Sequence, residues 1–433
     1  MNARNRELLG LLPASLLVTA GFTAVFIQRK ATLSSVSLTY GALFLGLCLA
    51  AHIFLRFTLP HADPYLFPLV ALLASFGIVV IYRIDSTLAR QQAQWFVVGL
   101  VLFCATIMLL RDYRVLERYR YLIAISGIGL LVLPRLPVIG GQVNGAYLEV
   151  RIGSISFQPA EFAKIAIVIF LASYLRDTRQ VLVIGARRFL GLTIPPLKHF
   201  GPLLLVWGAA MMMLFLIKDL GTALMFYGAF LALVYVATNR FSFVLAGLSL
   251  FAAGSWFVST HISHIQARVD AWRHPFNEHL YNAVGGSYQL AQSLFAQADG
   301  GLLGQGFGQA LLKIPGTSSN LLPAPHTDLI YAVITDELGL VGACGVLLAY
   351  LLVAERGFKT ALLARDSFST LLATGLTAVM ALQVFVIVGG VTKVIPLTGV
   401  TLPFISYGGS SIVANFVLLA LLLLVSDRAR RPQ

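Results

Sequence analysis

Charge is what this sequence has least of. Only 11% of its 433 residues are Asp, Glu, Lys or Arg, while 58% are hydrophobic and the mean hydropathy is +0.84. A soluble globular domain carries about 25% charge, so that class is excluded and an integral membrane protein is indicated. Acid is scarcer than base, with 18 Asp and Glu against 31 Lys and Arg and a formal net charge of +13. No nucleic-acid motif accompanies that excess, which reads as a loop bias and an attraction to anionic headgroups of membrane lipid. Cysteine is nearly absent: Cys48, Cys104 and Cys344 all fall in apolar segments, too few and too scattered for a disulfide framework or a metal site. His261, His264, His274 and His279 lack any HExxH-like spacing, so no metal is assigned. A low-complexity tail and a soluble domain are also missing.

What is present is a succession of apolar runs. Crossing a bilayer takes roughly 20 helical residues at 1.5 Å each. Twelve candidates qualify, at residues 8–27, 36–57, 66–82, 93–110, 121–139, 159–175, 200–217, 220–237, 241–260, 329–353, 368–390 and 406–425. The fifth is interrupted by Pro134, Arg135 and Pro137; the seventh and eighth are separated only by Lys218 and Asp219, and merging them would flip the topology downstream. The N-terminal MNARNRE leads into an apolar run too long for a signal peptide, so it reads as an uncleaved first span. The expected fold class is an all-α polytopic membrane protein of about twelve transmembrane helices.

Lys and Arg collect in cytoplasmic loops. With the N-terminus inside, the inner segments hold the larger share, including Arg111, Arg114, Arg118 and Arg120, then Arg176, Arg179, Arg187, Arg188 and Lys198. Both termini are therefore expected in the cytoplasm. The same topology puts one large loop, residues 261–328, outside. Gln289, Gln292 and Gln297 with Tyr288 and Ser293 predict a short amphipathic surface helix there, ended by Gly300, Gly301 and Gly304, where glycine permits tight turns and close backbone approach to a ligand. A loop that merely covers the helix ends is the equal alternative.

Asp328 stands where polar chain gives way to the run beginning at Leu329. A carboxylate at a helix start can simply serve the free amides and the dipole. Its company argues for more, because polar groups at membrane depth are costly and usually functional. Glu161 and Lys164, three apart and hence on one helix face, lie near the outer end of the sixth run; Asp219 ends the seventh, and Lys393 follows the eleventh. Glu161 and Lys164 are as readily a structural ion pair, and Asp336 and Glu337 read as packing or network groups. Residues 396–411, PLTGVTLPFISYGGSS, put prolines, glycines and hydroxyls at membrane depth, where irregular backbone must be buried or line a cavity.

That segment resembles the SEDS family (shape, elongation, division and sporulation), which includes RodA, FtsW and SpoVE. FQPAEFAKI (157–165), DLGTA (219–223), YQLAQSLFAQADGGLLGQGFGQ (288–309) and HTDLIYAVITDELGLVG (326–342) follow the family's order. The resemblance covers residues 66–425. Residues 1–65 look like two additional N-terminal transmembrane helices, residues 426–433 like a cytoplasmic tail, and the GGVTKVIPLTG wording is similar to RodA-like members from actinobacteria. Where many relatives have NGARRWI, this chain reads NGAYLEV (144–150), which puts any phosphate contact by that loop in doubt; DELG for EELG is a minor change.

The resemblance implies a peptidoglycan glycosyltransferase of the bacterial cytoplasmic membrane. Such an enzyme polymerises lipid II at the outer face, working with a class B penicillin-binding protein and other elongasome or divisome membrane proteins. The acid of the family's HTD motif falls on Asp328 and is its catalytic residue, the base for an inverting displacement that expels undecaprenyl pyrophosphate. Lys164, Lys393, Arg268 and Arg151 are the cations available for the pyrophosphate. Candidate substrate-binding residues are Glu161, Lys164, Asp219, Arg268, His326, Thr327, Lys393, Ser406, Gly408, Gly409 and Ser410. No cofactor is assigned, and a divalent cation is left open. A lipid II flippase or other transporter is the alternative, for which intramembrane charges and broken helices serve equally well; a scaffold ranks third.

Overall fold

The computed structural model describes residues 3–28, 36–137, 139–143, 146–153, 155–184, 187–189, 192–194, 220–261, 263–283, 285–312 and 321–432. Helices α1 (Ala3–Gln28), α2 (Val36–Thr58), α3 (Leu66–Ile84) and α4 (Ser86–Leu109) are followed by a short α5 (Val115–Arg118), α6 (Arg120–Val132) and α7 (Ala160–Ile184). Then come α8 (Leu220–Thr238), α9 (Phe241–His261), α10 (Ser263–Arg273), α11 (Glu278–Asn282), α12 (Tyr288–Gly300), α13 (Ile330–Leu363), α14 (Ser367–Val391) and α15 (Gly409–Arg430). Among the described residues eight helices are long and apolar enough to cross a membrane. The run at 200–217 and residues Lys218 and Asp219 lie outside the described residues. The run at 121–139 stops short as helix, at Val132, and its prolines fall in and after a 3-10 turn, Leu133–Arg135.

Helix is the default in lipid because it satisfies its own backbone groups, and the described ends show local chemistry at work. Asp85 caps α4 by accepting from the Thr87 and Leu88 amides at 2.7 and 3.2 Å, and Asp366 caps α14 by accepting from Ser369 at 3.0 Å. Helices α14 and α15 are the most enclosed of the spans. Helix α15 packs along α4, and α14 lies against α7, α8 and α13. Helix α1 buries Leu11, Ala14, Val18, Phe22 and Val25, a stripe at helical spacing, and packs along α2 and α3.

Ion pairs knit one end of the bundle. Arg114 meets Asp366 at 2.7 Å, Arg428 meets Asp112 at 2.9 Å, Arg430 meets Asp63 at 2.8 Å, and Arg120 and Arg176 bind Asp177 and Glu117. Arg4 reaches the Ala62 carbonyl, which brings the chain's beginning to the same end as Arg428 and Arg430. Six segments expected on one side of the membrane therefore share one end of the molecule.

Two small sheets accompany the helices. Strands β1 (Gly140–Val143), β2 (Ala146–Ile152) and β3 (Ile155–Phe157) form an antiparallel sheet, and β4 (Arg187–Phe189) pairs with β5 (Leu192–Ile194). Strand β2 carries the NGAYLEV departure: Tyr147 takes the Arg135 guanidinium over its ring at 4.8 Å, and Glu149 pairs with Arg151 at 3.7 Å.

Candidate active site

Asp328 is half-buried one residue before Leu329, which occupies the N-cap position of α13. Its carboxylate helps to wall a cavity of about 730 Å³. One wall is α10, with Arg268 and Trp272; another is the start of α12, with Tyr288 and Gln289; a third is the chain joining α14 to α15, with Leu397 and Gly399. The cavity thus sets one carboxylate, one guanidinium, two aromatic rings and a side-chain amide around a space large enough for a small ligand. Two hydrogen bonds dock α10 on the joining chain: Arg268 Nη1 to the Thr398 carbonyl at 3.4 Å, and Trp272 Nε1 to the Lys393 carbonyl at 3.0 Å.

Of the other residues singled out in the sequence, Arg268 is on the cavity wall. Lys393 lies at the left-handed turn after α14 (φ +62°), gives its carbonyl to Trp272, and is not among the lining residues. Glu161 and Lys164 are buried, 2.6 Å apart, and Lys164 also donates to Gln383 at 2.7 Å and to Asn415 at 3.1 Å. Gln383 in turn donates to Glu161 and, at 2.8 Å, to the Thr401 carbonyl, while Thr401 and Asn415 both bond Ser411. The pair is thus the centre of a network tying α7, α14 and α15 to the joining chain. Gln383 and Asn415 escaped the sequence analysis, although each is a lone amide inside a candidate span, where a polar side chain signals a partner.

His326 and Thr327 present their carbonyls to the joining chain. The Tyr407 amide donates to His326 at 2.8 Å, and Ser406 Oγ donates to Thr327 at 2.8 Å. The His326 ring stands edge-on to the Tyr407 ring, 5.8 Å between centroids, and burial pushes its imidazole below the ordinary histidine range, with Asp85 opposing. Ser410 accepts from the Gln158 amide at 2.9 Å, and the Gly408 amide donates to Gln92 at 3.1 Å. Gly409 passes so close to Trp95 that a Cβ there would meet the indole at 2.4 Å. Ser406, Gly408, Gly409 and Ser410 therefore pack the segment behind Asp328 and are not lining residues of the cavity.

Of the glycines that end α12, Gly300 and Gly304 lie against the backbone of a neighbouring helix, at Thr335, Asp336 and Glu337 of α13. Gly339 (φ +65°) breaks α13, and residues 301–306 complete the freed backbone groups. Leu340 and Val341 donate to the Gly301 and Leu302 carbonyls at 2.9 and 3.2 Å; Gln305 and Gly306 donate to the Asp336 and Glu337 carbonyls at 2.9 and 3.1 Å. Arg83 of α3 secures this junction, its Nε 3.2 Å from Glu337 and its Nη2 on the Gly308 and Ala310 carbonyls. Helix α12 is accordingly clamped as well as amphipathic, with Ser293 and Gln297 both bonding the Val391 carbonyl at 2.9 Å. Among the described residues no group of three His, Cys, Asp or Glu side chains converges to hold a metal.

Residues 64–431 match the family model for the cell cycle proteins FtsW, RodA and SpoVE. The chain is 40% identical over 440 residues to the peptidoglycan glycosyltransferase RodA of Mycobacterium tuberculosis, covering 99% of this chain and 92% of that one. It is 30% identical over 381 residues to the stage V sporulation protein E of Bacillus subtilis, covering 85% and 98%. The crystal structure of the rod shape determining protein RodA of Thermus thermophilus matches with a TM-score of 0.60 at 26% identity, covering 86% of this chain and 98% of that one. A chain from a structure described as the structural coordination of polymerization and crosslinking by a peptidoglycan synthase complex matches with a TM-score of 0.67 at 27% identity, covering 86% and 99%. By sequence along nearly its whole length, and by fold, this multi-pass membrane protein belongs to the FtsW, RodA and SpoVE family.

Proposed function

We propose that this chain is a peptidoglycan glycosyltransferase that polymerises lipid II at the outer face of the cytoplasmic membrane, with Asp328 as its general base. The observation that carries the reading is the placement of the Asp328 carboxylate on a cavity wall that also bears Arg268, in a chain so similar to a named glycosyltransferase. The 4-hydroxyl of one sugar attacks the anomeric carbon of a lipid-linked donor, Asp328 accepts the hydroxyl proton, and undecaprenyl pyrophosphate departs. One carboxylate suffices because pyrophosphate is already a good leaving group. Arg268 supplies positive charge for it; Lys164 is committed to Glu161, Gln383 and Asn415.

The N- and C-termini are placed in the cytoplasm, a reading supported by the arginine-rich end at which Arg4, Arg114, Arg428 and Arg430 gather. Residues 1–65 form an N-terminal addition to a membrane core of residues 66–425. The partner is a class B penicillin-binding protein, supported by the likeness to a chain of a peptidoglycan synthase complex.

The test is polymerisation of labelled lipid II by the protein purified with its cognate transpeptidase. Wild type is expected to make glycan chains, and correctly folded Asp328→Ala and Asp328→Asn none. Polymer from all three removes Asp328 as the base. Absence of polymer from wild type, with lipid II crossing reconstituted bilayers, replaces the enzyme by a flippase.

A further inference from the structure

The Gln92 side chain is fully buried on α4 and spans two backbone groups of the chain that joins α14 to α15. Its Nε2 donates to the Ser406 carbonyl at 3.1 Å, and its Oε1 accepts from the Gly408 amide at 3.1 Å. An amide at this depth is costly unless both of its ends are used, and here both are.

The Ser406 carbonyl and the Tyr407 amide belong to one planar peptide. Gln92 holds that peptide by its oxygen, and its N–H is the donor to the His326 carbonyl at 2.8 Å. The next peptide along the chain is held in parallel, because Ser406 Oγ donates to the Thr327 carbonyl at 2.8 Å while accepting from the Leu402 amide at 2.8 Å. The Thr327 carbonyl shares its peptide plane with the nitrogen of Asp328. Two successive peptides leading into Asp328 are thus anchored on residues 406 and 407, and one buried amide anchors those residues on a separate helix.

We infer that Gln92 is a positioning residue for Asp328: it fixes the orientation of the 406–408 turn, and through two peptide planes the place of the carboxylate in the cavity. The inference rests on the glycosyltransferase reading above. A displacement of a reacting group by ~1 Å can cost about a hundredfold in rate, so a partial loss of this anchoring lowers turnover before it abolishes binding.

The full chain, purified with its transpeptidase, is assayed for kcat and KM with labelled lipid II in wild type, Gln92→Leu, Gln92→Glu, Ser406→Ala and the Gln92→Leu/Ser406→Ala double variant. Thermal unfolding in detergent is followed in parallel. Gln92→Leu is expected to lower kcat about tenfold with KM changed by less than about twofold. Gln92→Glu keeps the acceptor for Gly408 and loses the donor to Ser406, so its kcat falls between those two. The double variant is expected to lose less than the product of the single losses, because both act along one path. An unchanged kcat in Gln92→Leu, or losses that multiply, overturns the inference. If Gln92→Leu does not fold, Gln92→Glu decides by the same kcat criterion. An inactive wild type brings down the glycosyltransferase reading itself, whereas an active wild type with full turnover in the Gln92 variants removes only the positioning role.

Discussion

Gly399 and Asp328 stand face to face: Gly399 adopts a φ of +74°, and a Cβ placed on it lies 3.4 Å from Asp328 Oδ2. The position therefore combines a backbone conformation that L side chains rarely adopt with a wall of the cavity that holds the proposed base. Gly399→Ala is expected to cost about 1 kcal/mol in stability from the left-handed backbone alone. Its methyl group also comes into van der Waals contact with the carboxylate and takes up cavity space beside it, so glycan polymerisation should fall by up to about tenfold, beyond any loss of folded protein. Rates normalised to folded protein check this, and a wild-type rate would show that the contact leaves the carboxylate undisturbed.

Lys164 is the cation of a fully enclosed network. Replacing it by Met leaves Glu161 buried without its counter-charge, a change expected to destabilise by about 3–5 kcal/mol. Adding Glu161→Gln removes the orphaned charge and should restore most of the lost thermal stability. Melting temperatures of the single and double variants decide the point: equal melting of the two would mean that the pair contributes no coupling.

The junction between the broken helix α13 and residues 301–306 depends on Arg83 as well as on backbone pairing. Arg83→Gln should lower the free energy of local opening by about 1–3 kcal/mol. Hydrogen exchange is the readout, with faster exchange expected at the amides of Gln305, Gly306, Leu340 and Val341 and little change in α14. Uniform protection equal to that of wild type would remove Arg83 as the clamp.

His326 bears on acid sensitivity. Burial holds its imidazole below the ordinary value of 6.5, with Asp85 opposing, so on acidification the unfolded chain binds a proton before the folded one does. Stability should therefore decline as pH falls from about 6.5 toward the lower folded value, and be unaffected by this group above that window. His326→Gln should flatten that part of the stability profile. An unaltered pH dependence in the variant would assign the acid sensitivity elsewhere.

The helical runs were legible because lipid imposes one solution on a long apolar segment: every backbone group must bond within the chain, and a helix does so locally. Asp328 was legible because a carboxylate at the edge of such a run is expensive and its neighbours in sequence form a motif. The short strands around Tyr147 and Glu149 were not, since β-pairing is a relation between segments and leaves little trace in any one of them.

By itself, then, the sequence determined a multi-pass helical membrane protein, its family, and the acid that stands before Leu329. Only the tertiary structure decided which polar groups surround that acid. It put Arg268 and Trp272 on the cavity wall, enclosed Lys164 with Gln383 and Asn415, and turned the glycines after α12 toward α13. Gln92 and Ser406 are 314 residues apart in the chain and bonded in the fold. The physical reason is that hydropathy and capping act over a few neighbouring residues, whereas a hydrogen bond between distant segments exists only once packing has brought them within about 3 Å of each other.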